Sequence, residues 1–126
     1  MKLDYQMKDV PYLLGRLFAV LEKAQDESSG ATTIKDRYFG SASSTPSSIF
    51  PVILRLNRHH LAKMDKGRQI WYEKLMQDIM SYLDRFPNHL RLEEQGMFAI
   101  GYYHQRKDFY TKKEDGINEN KEVHNG

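Results

Sequence analysis

In the segment PYLLGRLFAVLEKAQDE, Leu13, Leu14, Leu17, Phe18 and Leu21 recur at the three- and four-residue intervals that return side chains to one face of an α-helix. The same periodicity comes back with Ile49, Phe50, Ile53, Leu54 and Leu56, again with Ile70, Trp71, Leu75, Ile79 and Leu83, and again in LEEQGMFAIGYYHQRKDFYTKK. No stretch alternates apolar and polar residues as a half-buried strand would. The expectation is therefore an all-α fold, a single helical bundle of four longer helices and one short helix.

Punctuation residues set the expected boundaries. Asp9 can cap the first helix, whose first turn holds Pro11, and Ser28, Ser29 and Gly30 stop it. Thr33 opens a short helix, TIKDRYFGSA, in which Ile34, Tyr38 and Ala42 share a face and Gly40 limits the length to about two turns. SASSTPSS has the composition of a flexible linker. A structured turn fits better, because Thr45 followed by Pro46 is an N-cap with proline in the first turn, and an apolar face follows at once. Pro51 lacks an amide, so this third helix should start nearer Phe50 or bend there. Gly67 precedes a fourth helix, RQIWYEKLMQDIMSYLDRF, ended by Pro87, with Trp71 expected in the core beside Leu75. The last helix has Glu93 and Glu94 near its positive end and Arg106, Lys107, Lys112 and Lys113 near its negative end. Residues 1–113 form the bundle in this reading, and residues 114–126, without apolar anchors, form a disordered acidic tail.

A chain of 126 residues suits one core and not two. It has no cysteine, which removes disulfides, thiolate nucleophiles and sulfur-based zinc sites and suits a reducing compartment. No apolar run nears the roughly 20 residues of a membrane span, and no signal-peptide core opens the sequence. A soluble, cytoplasmic protein is expected.

Charge is unevenly spread. Residues 31–70 carry seven basic side chains against two acidic ones, while residues 114–126 carry four acidic against one basic. Partners that are polyanions are thus better matched to the middle of the chain.

Few residues invite chemistry. His59 and His60 are adjacent, so on a helix they diverge by about 100° and cannot chelate one ion as an i, i+4 pair does. Glu93 and Glu94 diverge likewise, and their place in a first turn already accounts for them. The serines of residues 41–48 lack a nucleophile-elbow pattern, and RYFGSAS has one glycine where a phosphate cradle needs several. No enzyme activity, metal or cofactor is expected.

The basic residues say more. Arg55, Arg58, His59, Lys63 and Lys66 fall at intervals that place most of them along one stripe of the third helix, suiting the regular charge line of a phosphate backbone. Spacing alone equally allows the solvated face of an amphipathic helix. Lys35, Arg37 and Arg68 flank the stripe, and Arg106 lies in GYYHQRKDFY, where aromatic and basic residues interleave as in single-strand binding platforms. Phe98, Tyr102 and Phe109 fall where a core-facing stripe would put them, which leaves Tyr103 and Arg106 as the exposed members. These nine basic residues are the candidate nucleic-acid contacts.

Three blocks, YLLGRLFAVLEKAQ, TIKDRYFGSASSTPSSIFPVILRLNRHHLAK and LEEQGMFAIGYYHQRKDFYTKK, together resemble the carboxyl-terminal region of the large subunit of the type I-C CRISPR effector, Cascade, over residues 12–113. In that family the large-subunit transcript is also translated from an internal start to give a small subunit, and a chain opening MKLDYQMKDVPYLLG is similar to that product. The resemblance implies a helical bundle present in more than one copy beside the backbone and large subunits of the crRNA-bearing complex. It also implies help in holding target DNA and its displaced strand during R-loop formation, and no nuclease activity. The tail EDGINENKEVHNG matches none of the blocks, and the resemblance brings no residue-level motif for DNA contact. A protein–protein scaffold that bridges backbone subunits without touching DNA is the alternative; a small hydrolase has no constellation behind it.

Overall fold

The computed structural model describes residues 2–30 and 33–125, with side chains as far as residue 111. Among them are five α-helices and no strand: α1 (Val10–Ser29), α2 (Ile34–Ser44), α3 (Pro46–Ala62), α4 (Lys66–Met80) and α5 (Leu92–Asn125). The helical bundle of four longer helices and one shorter one is the architecture observed, with α2 the short member. The expected passage from bundle to acidic tail after Lys113 falls where side chains lie outside the described residues.

α1 is the axis of the bundle. Side chains are buried around nearly its whole circumference from residue 12 to 22, because each of the other four helices packs against it. A helix so enclosed has to be apolar on all sides, as Leu13, Leu14, Leu17, Phe18, Val20 and Leu21 make it. The chain leaves it at Gly30, whose φ of 73° is left-handed and whose amide bonds the Asp26 carbonyl at 2.8 Å.

α1 and α5 cross at glycines. A Cβ on Gly101 would run into the backbone of Tyr12, and one on Gly15 would run into the backbone of Phe98 and Tyr102. Two small residues facing each other let the helix axes come within reach of main-chain contact. Around this crossing Phe18, Phe39, Phe98 and Tyr102 pack edge to face, with centroids 5.1 to 6.0 Å apart.

Arg16 is an exception inside α1. Only 2% exposed, it donates from Nε to Gln105 Oε1 at 2.9 Å and lies 5.3 Å from the Tyr5 ring centroid, while one terminal nitrogen has no hydrogen-bond partner.

Several sequence expectations are corrected. α2 runs to 11 residues, a turn beyond the expected length, because Phe39 is held among the core rings and Ala42 and Ser43 are buried. That packing outweighs the helix cost of exposed Gly40. α3 begins at Pro46 and runs through Pro51; the amide that Pro51 lacks would have met only the Ser47 carbonyl, near the helix start.

α4 ends at Met80 and not at Pro87, and its buried face is one residue out of step with expectation. Tyr72, Met76 and Ile79 point inward, whereas Trp71 is 41% exposed. The chain beyond α4 instead serves the α2–α3 junction. Phe86 stacks on Phe50 at 5.1 Å, the Pro87 carbonyl accepts from the Ser47 amide at 2.9 Å, and the Leu90 amide donates to the Ser44 carbonyl at 2.9 Å.

The junction itself is a single residue, so SASSTPSS is no linker. Thr45 stands between the helices, but its hydroxyl turns back to the Ser41 carbonyl at 3.0 Å and does not cap α3, whose Ser47 amide is satisfied by Pro87. The start of α2 is likewise capped from elsewhere, by Gln25 Oε1 accepting from the Thr33 and Ile34 amides at 2.9 and 3.1 Å.

Candidate nucleic-acid interface

α3 buries Phe50, Ile53, Asn57 and Leu61 against the bundle. Positions 55 and 59 fall on the opposite side of the same helix by its periodicity and position 58 on the flank between, and Arg55, Arg58 and His59 are all exposed. Lys63 caps the carboxyl end of α3 and Lys66 opens α4; both are exposed. None of these five forms an ion pair among the described residues.

His60, beside His59, faces another way. It is half-buried, neither ring nitrogen has a hydrogen-bond partner, and burial, then Lys63 and His59, hold its pKa below the usual histidine value. The two imidazoles therefore do not converge. Among the described residues no group of three histidines, cysteines or carboxylates stands together as a metal ion would need.

Arg68 is engaged elsewhere. Its guanidinium grips Glu27 of α1 with Nε–Oε2 at 3.1 Å and Nη2–Oε1 at 2.8 Å, and its carbon lies 4.6 Å from the Trp71 ring centroid. The Tyr72 hydroxyl adds a bond to Glu27 Oε1 at 3.2 Å. The hydrogen bond from Arg68 holds the Glu27 carboxyl below its ordinary range despite partial burial. This cluster latches α4 to α1 and commits most of what Arg68 could offer a phosphate.

Lys35 and Arg106 belong to a second locality, where α2 packs on α5. Lys35 Nζ stands 5.2 Å from the ring centroids of both Tyr102 and Tyr103. Tyr102 is buried, its hydroxyl donating to Glu22 Oε1 at 2.6 Å, whereas Tyr103 lies open on the surface. Arg106 is exposed and sits 5.8 Å from the Tyr110 ring centroid. Arg37 is exposed too, but two residues from Lys35 it is turned about 200° around α2 and faces away.

The sequence-based candidates thus fall into an α3 face, an α2–α5 locality, one isolated arginine and one latched arginine. Sequence reasoning left out Lys107, Lys23 and Tyr110, which join Arg106 in the second locality. The signal was there in the spacing of residues 103, 107 and 110, which share a helix face.

The carboxylates first considered as a pair act separately. Glu94 Oε1 accepts the Arg91 amide at 2.9 Å and the Arg91 Nε at 3.2 Å, closing the amino end of α5, while Glu93 lies on the surface. No helix of the described residues is long and apolar enough to cross a membrane.

A family model described as CRISPR-associated protein (Cas_Csd1) matches residues 1–110, nearly the whole of the bundle. No curated protein matches the chain.

Proposed function

Because the chain belongs to the CRISPR-associated Cas_Csd1 family, we propose that it is the non-catalytic small subunit of a type I-C effector complex. It works in the cytoplasm beside the backbone and large subunits and further copies of itself, and it needs no cofactor. Its task is to hold target DNA, chiefly the displaced strand, while the crRNA-guided R-loop forms.

The observation that carries this reading is the α3 face. Arg55 projects from the side opposite the core and Arg58 from the flank next to it, both exposed and without a carboxylate partner among the described residues, beside exposed His59, Lys63 and Lys66. Flexible, unpaired cations in a row can each release a counterion when they meet a phosphate, which ties affinity to salt. Replacing Arg55, Arg58 and Lys63 with alanine in the assembled complex should weaken DNA binding without regard to sequence. Undiminished binding would remove the reading's main support.

A scaffold role is favoured by a different feature, the exposed apolar side chains Leu56, Ile70 and Trp71. Under that reading Trp71→Ala impairs assembly and leaves the salt dependence of DNA binding as it was.

A further inference from the structure

On α5 the residues 103, 106, 107 and 110 come round to one side, away from buried Phe98, Tyr102 and Gln105. Tyr103 is 42% and Tyr110 49% exposed, and with Arg106 and Lys107 they line a shallow open groove of about 280 Å³. Cations surround both rings. Lys35 Nζ lies 5.2 Å from the Tyr103 centroid and 3.4 Å from its hydroxyl, while Lys23 Nζ and the Arg106 guanidinium lie 5.7 and 5.8 Å from the Tyr110 centroid.

The acidic neighbours are few. Glu22 is buried and takes the Tyr102 hydroxyl, and Asp26 lines the adjoining hollow with Lys23 and Arg106. Neither forms an ion pair with these cations.

We infer that this α5 surface is a stacking platform for the bases of an unpaired DNA strand. Exposed ring faces flanked by lysine and arginine match a ligand that presents π-faces and negative charge together, at alternating positions along one chain. Single-stranded DNA does so. A duplex hides its base faces inside the stack and offers only charge, so it cannot use the rings. The platform therefore differs from the α3 face, where Arg55, Arg58, Lys63 and Lys66 are exposed cations and the one ring among them is the small imidazole of His59, with no tyrosine in the set. Two tyrosines one helical stretch of seven residues apart stand about 10 Å from each other along the axis, so they take bases that are not adjacent in the strand or are splayed apart.

This inference rests on the nucleic-acid reading proposed above, and the test separates the two. The full chain is titrated against three labelled probes of equal length: a mixed-sequence single strand, the same strand fully abasic, and the duplex. Tyr103→Leu with Tyr110→Leu should weaken single-strand binding by roughly 5- to 100-fold for each ring, leave the salt slope as it was, and leave abasic and duplex binding unchanged. Tyr103→Phe with Tyr110→Phe keeps both rings and should bind as wild type. Because neither side chain belongs to the buried core, circular dichroism should show the helix content of all variants preserved. If the leucine pair binds the single strand as wild type does while the alanine triple at Arg55, Arg58 and Lys63 binds weakly, the platform is overturned and the α3 interface stands. If the leucine pair abolishes self-association of the chain and leaves single-strand binding unaltered, the face is a docking surface for a second copy, which also overturns the platform. If no probe binds the wild-type chain, the nucleic-acid reading fails and the platform with it.

Discussion

Gly101→Ala should destabilise the protein, against the rule that alanine is the better helix former. The added Cβ would stand 2.9 Å from the Tyr12 carbonyl carbon and 3.0 Å from its Cα, and closer still to the carbonyl oxygen. These are main-chain atoms of α1, so no side-chain rotation relieves the clash, and two helices locked along a shared core must move apart. Overpacking of this kind costs about 1–3 kcal/mol, and backbone neighbours place it in the upper half of that range. Exchanging glycine for alanine in a helix returns up to about 1 kcal/mol. The net expectation is a loss of about 1–2 kcal/mol. Gly96, on the same helix, has nothing within 4 Å of its Cβ position, so Gly96→Ala should stabilise by up to about 1 kcal/mol. Urea denaturation followed by circular dichroism reads both: with an m-value of about 1–3 kcal/mol/M, the Gly101 variant's midpoint should fall by roughly 0.3–2 M while the Gly96 variant's rises. A Gly101→Ala midpoint raised as far as that of Gly96→Ala would show that α1 and α5 do not cross at main-chain contact.

Other consequences can be measured on the same protein. Tyr72→Ala, at a side chain with no exposed surface, should cost about 3–5 kcal/mol in chemical denaturation, and Trp71→Ala, at one 41% exposed, should cost distinctly less. Burial and the neighbouring Glu27 push the Tyr72 phenol above its ordinary 10.0, and burial and the Glu22 hydrogen bond do the same for Tyr102. Folded protein keeps both protons where unfolded protein loses them, so their contribution is whole below pH 10.0 and is lost as pH rises beyond it; phenolate absorbance should show two tyrosines that ionise only on alkaline unfolding. Glu27 runs the other way, its carboxyl lowered by Arg68 from 4.5, so its contribution is present above that pH and fades on acidification. Since the pair is partly exposed, Glu27→Gln should cost about 1 kcal/mol or less at neutral pH, and the gap from wild type should close in acid.

The helical architecture was legible because four segments carry apolar residues at helical spacing, and that pattern reports burial directly. The face of α4 was not. Ile70, Trp71, Leu75 and Ile79 make one stripe and Tyr72, Met76 and Ile79 another, and which of them is buried depends on how α4 packs against α1 and α3, far off in sequence. The caps misled for the same reason: Thr45 looked like the cap of α3, but Pro87 from the far side of α4 supplies the acceptor. The crossing at Gly15 and Gly101 depends on two glycines becoming neighbours across the bundle, which nothing local announces. Of the candidate interface, the α3 stripe could be read from periodicity, since positions 55, 58 and 59 all fall outside the buried set's face. That Arg68 is latched to Glu27 depended on a tertiary neighbour, whereas Arg106 and Tyr110 are four residues apart on α5 and their contact lay within reach of spacing alone.

The claim at the centre of this account is that the α3 face meets phosphate. Its most direct test is the salt dependence of DNA affinity for the assembled complex, wild type against the triple variant Arg55→Ala, Arg58→Ala and Lys63→Ala, at verified equal subunit content. Alanine favours helix, so α3 should persist. Each lost phosphate contact should lower the slope of log affinity against log salt by roughly 0.7 for a single strand or 0.9 for duplex, so the account predicts a fall of about 2 to 3 with weaker binding at every salt concentration. An unaltered slope and affinity would contradict it, and the α3 stripe would be a solvated helix face.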